Sequence, residues 1–407
     1  VRFLHVADVH LDSPLTGLAR RASIPPEVLD GCTRRAFANA IDLAIAEEVD
    51  FVVIAGDLYD GDQKDFSTAL CFAREMKRLG RPCLMVRGNH DAASVITRTL
   101  ELPPNVRAFG ARHPETIRLD DLGVAIHGQS FPNRAVPEDL SLDYPAPVPG
   151  MFNIGLLHTS AENPGAHETY APCRLETLVV RGYQYWALGH IHERRELHRD
   201  PPVVFAGNTQ GRHVNETGAK GVTLVHVEAG RVVRVEHRPT DVLRWAAPTV
   251  DLDGAATMAD VAARLRFALA AASDGADGRP VIARVTLIGR TACHASLVAD
   301  PETIEAECQA AALAASDRLH IEGVRVRTAP PHAQAMGAET ALAALDSAFR
   351  AALDDPAVQA GLLKEFAAIA GLPGGAGAVA PRTADELRAR APEAWATIAH
   401  ALSDAAP

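Results

Sequence analysis

Five short apolar runs recur along the first two hundred positions, and each stops at a polar cluster. Residues 2–7 precede Asp8 and His10, and residues 51–55 precede Gly56 and Asp57. Residues 82–86 lead to the turn Gly88, Asn89, His90, Asp91, residues 153–157 to His158, and residues 185–188 to Gly189, His190, Ile191 and His192. Runs that are apolar at successive positions, rather than at alternate ones, read as strands buried on both faces in a largely parallel sheet. Between them, residues 33–48 carry Phe37, Ile41, Ala44 and Ile45 at helical spacing. Residues 67–79 repeat the pattern through Leu70, Ala73 and Met76 and stop at Gly80. Strand, helix, strand in succession predicts βαβ units and an α/β fold. In α/β sheets ligands bind outside the carboxyl ends of the strands, so the five clusters are expected to meet in one crevice.

From 103 to 149 the signals weaken to short strands, of which Val124–Gly128 is the clearest, and a Pro-rich connection. Residues 180–188 read as the last strand of the series. After Pro239 the chain turns Ala-rich: strand 245–252, helix 258–272, strand 281–288, helix 301–315 and strand 321–327 predict a small α/β unit. Past a linker at 329–337 lie helical stretches at 338–370 and 383–404, separated by the Gly-rich segment 371–378. Leu342, Leu345, Phe349 and Leu353 form an apolar stripe on the first of them. The expected organisation is a domain at 1–240, a second at 241–330 and a helical region at 331–407. A chain of 407 residues has ample material for two or three such units.

Composition narrows the class. No apolar run approaches the roughly 20 residues of a membrane span, and the chain opens in a strand without the features of a signal peptide, so a cytoplasmic location is expected. Six cysteines without a CxxC pair fit reduced thiols. The net charge of -11 is the wrong sign for a stand-alone nucleic-acid binder. Bound divalent cations would reverse that field locally.

The candidate chemistry lies in the strand-end clusters. Asp-x-His at Asp8 and His10 is a weak signal alone, and a lone carboxylate such as Asp57 after a strand is usually structural. Gly-Asn-His-Asp at 88–91 is more specific, because Asn is a rare ligand used mainly on hard cations. A polar turn serving backbone bonds fits the same string. His190 and His192 could each serve a different ion, or lie on a solvated loop. Asp-x-His, Gly-Asp, Asn-His-Asp, single His and His-x-His in that order make coincidence improbable, with Asp57 as the bridging ligand of two metals. Two cations about 3.5–4 Å apart neutralise a phosphodiester and activate water for in-line attack. Arg194, Arg195 and Arg199 follow one cluster, and Arg212, His213 and Lys220 follow the next strand-like run. Either group could edge the crevice and bind phosphate, or be exposed on a solvated face. His5, His127, His198, His226 and His237 lack partners at the required spacing.

These residues resemble the calcineurin-like metallophosphoesterase superfamily, and in particular SbcD- and YhaO-type DNA repair exonucleases. ADVHLDSPL near the start and FAGNTQGRHVNETGAKG at 205–221 look like the YhaO branch. The resemblance covers about the first 240 residues. It implies a β-sandwich flanked by helices, with one metal held by Asp8, His10, Asp57 and His192 and the other by Asp57, Asn89, His158 and His190. It also implies His90 as the catalytic histidine. The archaeal and eukaryotic members carry His three residues after the bridging Asp. This chain has Asp60, which in phosphatase relatives orients the catalytic His. The metal implied is Mn²⁺, with Fe or Zn compatible with the donor set; DNA is the implied substrate. Residues 241–330 correspond to the family's capping domain. The C-terminal helices correspond to the segment that docks an SMC-like ATPase of the SbcC type. Homodimers are common in the family, but no dimer surface is legible here. A small-substrate phosphodiesterase or phosphatase, and a DNA-end-binding scaffold without catalysis, are the competing readings.

Overall fold

The computed structural model describes residues 1–15, 24–61, 65–93, 101–161, 170–331, 338–370 and 380–404. The Gly-rich segment 371–378 and most of the expected linker lie outside them. The chain divides into two compact units, Val1–Ala329 and Pro330–Pro407.

In the first unit, strands β1 (Arg2–Val6), β2 (Phe51–Ala55), β3 (Cys83–Val86) and β4 (Val106–Ala108) pair in parallel. Strands β5 (Glu115–Leu119), β6 (Val124–Gly128), β7 (Phe152–His158), β8 (Tyr185–Gly189), β9 (Arg195–Arg199) and β10 (Pro202–Phe205) make a separate sheet, ordered β5-β6-β7-β8-β10-β9. Strands β11 (Gly221–Glu228) and β12 (Arg231–Pro239) return antiparallel to extend the first sheet, in the order β12-β11-β1-β2-β3-β4.

The two sheets face one another across one core. Phe3, Phe51 and Val53 point inward against Phe152, Ile154 and Tyr185, while Leu4, Val6, Val52 and Ile54 point outward to the helices. Phe3 stacks on Phe51 at 5.1 Å and meets Tyr185 edge-on at 5.3 Å. Burial on both faces is why these strands read as unbroken apolar runs rather than alternating ones. The site-bearing strands are thus split between two sheets, and do not share the single sheet that the open α/β rule would give.

Helices Cys32–Ala46 and Phe66–Leu79 cover the outer face of the first sheet through Phe37, Ile41, Phe72 and Met76. Asp65 caps the second of them by accepting the N–H of Ser67 at 2.8 Å, and Gly80 ends it at φ +62°. Its buried face is Ala69, Phe72, Met76 and Leu79, so Leu70, expected on that face, is exposed. Ile45 is likewise exposed at the margin of its helix. Residues 180–184 are not strand: a helix, Leu175–Val180, turns at Gly182 before β8 begins.

Strands β13 (Arg244–Ala246), β14 (Thr249–Asp251), β15 (Val281–Arg290) and β16 (Leu319–Ala329) form a parallel sheet, with β13 and β14 both on one edge of β15. The expected strand 245–252 breaks at Pro248, which has no N–H for the ladder. Helices Met258–Asp274 and Pro301–Ala315 cover this sheet and close a core of its own around Leu265, Leu269, Val285, Cys308 and Ile321. Trp245 donates from Nε1 to Gly211 O at 2.9 Å and packs with Leu243, Ile282 and Val214, which ties this sheet to the preceding loop.

The second unit holds helices Ala338–Asp354, Pro356–Ala370 and Ala384–Asp404. The expected stretch 338–370 is interrupted before Pro356, because the residue preceding proline disfavours helix. Leu353 is buried and Phe349 packs on Trp395 at 5.5 Å, so part of the apolar stripe serves its own unit; Leu345 is exposed. The Leu342 side chain lies outside the described residues. All six cysteines are free and buried. Among the described residues no helix is long and apolar enough to cross a membrane.

Candidate dinuclear metal centre

The site forms where the carboxyl ends of β1, β2 and β3 meet those of β7 and β8. The sheets approach closely here: a Cβ on Gly189 would lie 2.0 Å from Ala55 O. Gly56, at φ +93°, and Gly88 leave the room that His158 and Asp57 occupy, since added Cβ atoms would come within 2.4 Å of His158 Nδ1 and 2.3 Å of Asp57 Oδ1. Asp8, His10, Asp57 and His190 all have positive φ (49°, 46°, 52° and 103°), so the backbone is strained at the residues that aim the polar groups inward.

Hydrogen bonds on the outer ring nitrogens fix the tautomers. Carboxylates and carbonyls only accept, so a ring nitrogen facing one must carry the proton. His10 Nδ1 donates to Asp60 Oδ1 at 2.6 Å, His192 Nδ1 to Glu216 Oε1 at 2.6 Å, and His158 Nδ1 to Ala55 O at 2.9 Å. All three Nε2 lone pairs therefore face the centre bare. His10 Nε2 and His192 Nε2 are 3.2 Å apart, beside Asp8. His158 Nε2 lies 2.9 Å from Asn89 Oδ1 and 3.5 Å from Asp57 Oδ2, beside His190. Asp57 Oδ2 is also 3.8 Å from His10 Nε2, so it faces both groups. The Nε2 lone pairs of His10 and His192 face one another, and Asp8 and Asp57 add buried carboxylates that each accept a backbone N–H, from His190 and His90 respectively. Such an arrangement is unfavourable unless cations sit among the lone pairs. The donor set fits two divalent ions, one amid Asp8, His10 and His192 and one amid Asp57, His158 and His190, with Asn89 adjoining.

The electrostatics agree with this. Burial pushes His10 down to about 4 and, with His158 beside it, His190 to about 3, so both imidazoles stay neutral and free to ligate. Burial and the neighbouring Asp57 raise Asp8. Burial opposes ionisation of Asp57, but His90, through its charge and its backbone N–H, helps hold the carboxyl below the usual carboxylate range.

A third group, His10, Asp60 and His90, is different in kind. Asp60 Oδ1 accepts from His10 Nδ1 and lies 3.2 Å from His90 Nδ1, so proton donors already satisfy it. Burial disfavours the charged form of His90, yet the bond to Asp60 and the field of Asp57 outweigh it and raise its pKa. Asp91 accepts backbone N–H groups from Leu58, Tyr59 and Gly88, so the last residue of the Gly-Asn-His-Asp turn braces the backbone. Arg212 Nη1 bonds Ser13 Oγ at 3.0 Å and Asp60 Oδ1 at 3.4 Å, and His213 Nε2 is 3.3 Å from Glu216. These two residues border the centre. Arg194 and Arg195 pair instead with Glu196 and Glu193. His5 is buried between the sheets against Tyr185 and Leu188, and His127 against Thr116 and Asn153. Glu216 escaped the sequence reading, although it sits inside the quoted segment 205–221; nothing in local spacing points a glutamate there at a histidine 24 residues earlier.

Residues 1–194 match the model of the calcineurin-like phosphoesterase family, and residues 245–329 that of the middle domain of metallophosphoesterase YhaO. The chain is 36% identical over 266 residues to the uncharacterized metallophosphoesterase YhaO of Bacillus subtilis, covering 63% of this chain and 64% of that protein. It is 28% identical over 269 residues to the DNA double-strand break repair protein Mre11 of Sulfurisphaera tokodaii (61% and 65% covered). To the protein of that description from Aeropyrum pernix it is 34% identical over 247 residues (55% and 57%). The chain thus spans just under two thirds of the length of the first two relatives.

Proposed function

We propose that this chain, whose residues 1–194 belong to the calcineurin-like phosphoesterase family, is a two-metal DNA exonuclease that hydrolyses phosphodiesters at DNA ends during repair. The observation that carries the phosphoesterase chemistry is the pair of ligand clusters that Asp57 faces. When bound, two divalent ions would supply charge neutralisation at the phosphoryl group and activation of water. Mn²⁺ suits a shell of carboxylate, imidazole and amide donors. Asp8, His10 and His192 would hold one ion, and Asn89, His158 and His190 the other, with Asp57 between.

The protein's own groups do the rest. His90 keeps its proton through Asp60 and stands beside both clusters, one-third exposed, where it protonates the leaving alkoxide. Arg212, held against Asp60 and Ser13, and His213 provide cationic and donor contacts to a phosphate at the rim. Arg194 and Arg195, in their pairs with glutamates, would have to exchange partners to reach DNA.

The DNA assignment draws on the double-strand break repair relatives and on our reading of residues 241–330 as a capping domain. The helices at 338–404 keep Val358, Leu362 and Phe366 more than one-third exposed, which supports docking of an SMC-like ATPase of the SbcC type. A cytoplasmic site fits the reduced thiols. The test is the purified 407-residue chain with Mn²⁺, offered labelled linear duplex and single-stranded DNA beside a generic phosphodiester and phosphomonoester, with Asp57→Ala as control. Shortening from DNA ends that Asp57→Ala abolishes is expected. Cleavage of the monoester alone would assign a small-substrate phosphatase, and end binding without hydrolysis a scaffold.

A further inference from the structure

We infer that Glu216 is a positioning residue for one metal only: it aims His192 and ties that ligand to the loop at 206–220. The inference rests on the two-metal reading above. Glu216 is nearly buried, and three donors converge on its carboxylate, with His213 alongside. Oε1 accepts from His192 Nδ1 at 2.6 Å and lies 3.3 Å from His213 Nε2; Oε2 accepts from the Arg212 backbone N–H at 2.7 Å and from Asn208 Nδ2 at 2.8 Å. One acid thus sets the tautomer of His192 and the start of the segment that carries Arg212, whose guanidinium in turn meets Asp60.

The consequence is an asymmetry between the two sites. Both histidines around Asp8 have their outer nitrogens on carboxylates, His10 on Asp60 and His192 on Glu216. On the other side, His158 has only the neutral carbonyl of Ala55. A carboxylate raises the basicity of the imidazole it holds and locks its rotation, and losing such an outer partner weakens metal affinity roughly 10–100-fold. The Asp8 side is therefore the tighter of the two, and Glu216 is one of its two supports. An amide at 216 cannot replace the acid, because it offers one accepting oxygen where three donors are held on two, and it leaves at least one buried donor unpaired.

The test is Mn²⁺ titration of the full chain by calorimetry, with no catalytic readout, for the parent, Glu216→Gln, His192→Ala and the double variant. Parent chain is expected to bind two ions with unequal affinity. Glu216→Gln should weaken the tighter site about 10–100-fold and leave the other unchanged. In the His192→Ala background the second substitution should change nothing further, as it must if Glu216 acts through His192. Melting in chelator separates misfolding from a metal effect: Glu216→Asp, which keeps the charge on a shorter arm, stands in if Glu216→Gln fails to fold, and should weaken the same single site. Two unaltered sites in the variants, equal weakening of both, or an additive loss in the double variant would overturn the inference while leaving the two-metal reading intact. A parent that binds no Mn²⁺ would overturn both.

Discussion

Replacing His90 with Ala separates catalysis from metal holding. The ring contributes no atom to either acceptor cluster, and its backbone N–H, which donates to Asp57 Oδ1 at 3.0 Å, survives the substitution. The variant should therefore bind two ions as the parent does. What it loses is a proton donor held by Asp60 at 3.2 Å and one-third exposed, whereas His10 and His158 are fully buried. Loss of a positioned general acid costs about 10²–10⁴ in rate, which is about 2.7–5.4 kcal/mol of transition-state stabilisation. The assay is turnover of a phosphodiester in saturating Mn²⁺, paired with metal content of the same preparation after dialysis. A drop in turnover of that size with two ions retained is expected. Parent-like turnover would refute the acid role, and loss of metal in proportion to activity would mean that His90 is a ligand instead.

Two further perturbations test the frame around the site. Gly88→Ala places a Cβ 2.3 Å from Asp57 Oδ1 and 2.8 Å from His158, so it should displace the shared carboxylate, cost about 1–3 kcal/mol in urea unfolding and lower metal affinity; unchanged metal binding would show that Asp57 can shift freely. His5, buried neutral, is lowered from 6.5 to about 3 chiefly by burial. Its folded pKa lies below its unfolded one, so its contribution is complete above pH 6.5 and is lost as pH falls toward 3. Between pH 7 and 5 this one group should cost about 2 kcal/mol of stability. Urea midpoints of parent and His5→Gln at both pH values, in chelator, check this: an equal gap at the two would refute it.

What the sequence determined by itself was the sequence-local part of this protein. Apolar runs followed by polar turns marked β1, β2, β3, β7 and β8 and the residues at their tips, because burial on both faces and the need for a turn leave their signature in consecutive positions. Helices at 32–46, 66–79, 258–274 and 301–315 were legible from their periodicity for the same reason. The tertiary structure set those strands in two facing sheets, as the family resemblance implied and local pattern could not, since strand partners are chosen across the core and not along the chain. It decided that Asp60 serves His10, fifty residues away, as well as His90. It also decided that Glu216 stands behind His192, and that Arg212 reaches the centre while Arg195 pairs with its neighbour Glu193. A hydrogen bond between distant residues depends on where the backbone carries them, and no pattern of adjacent residues encodes that distance.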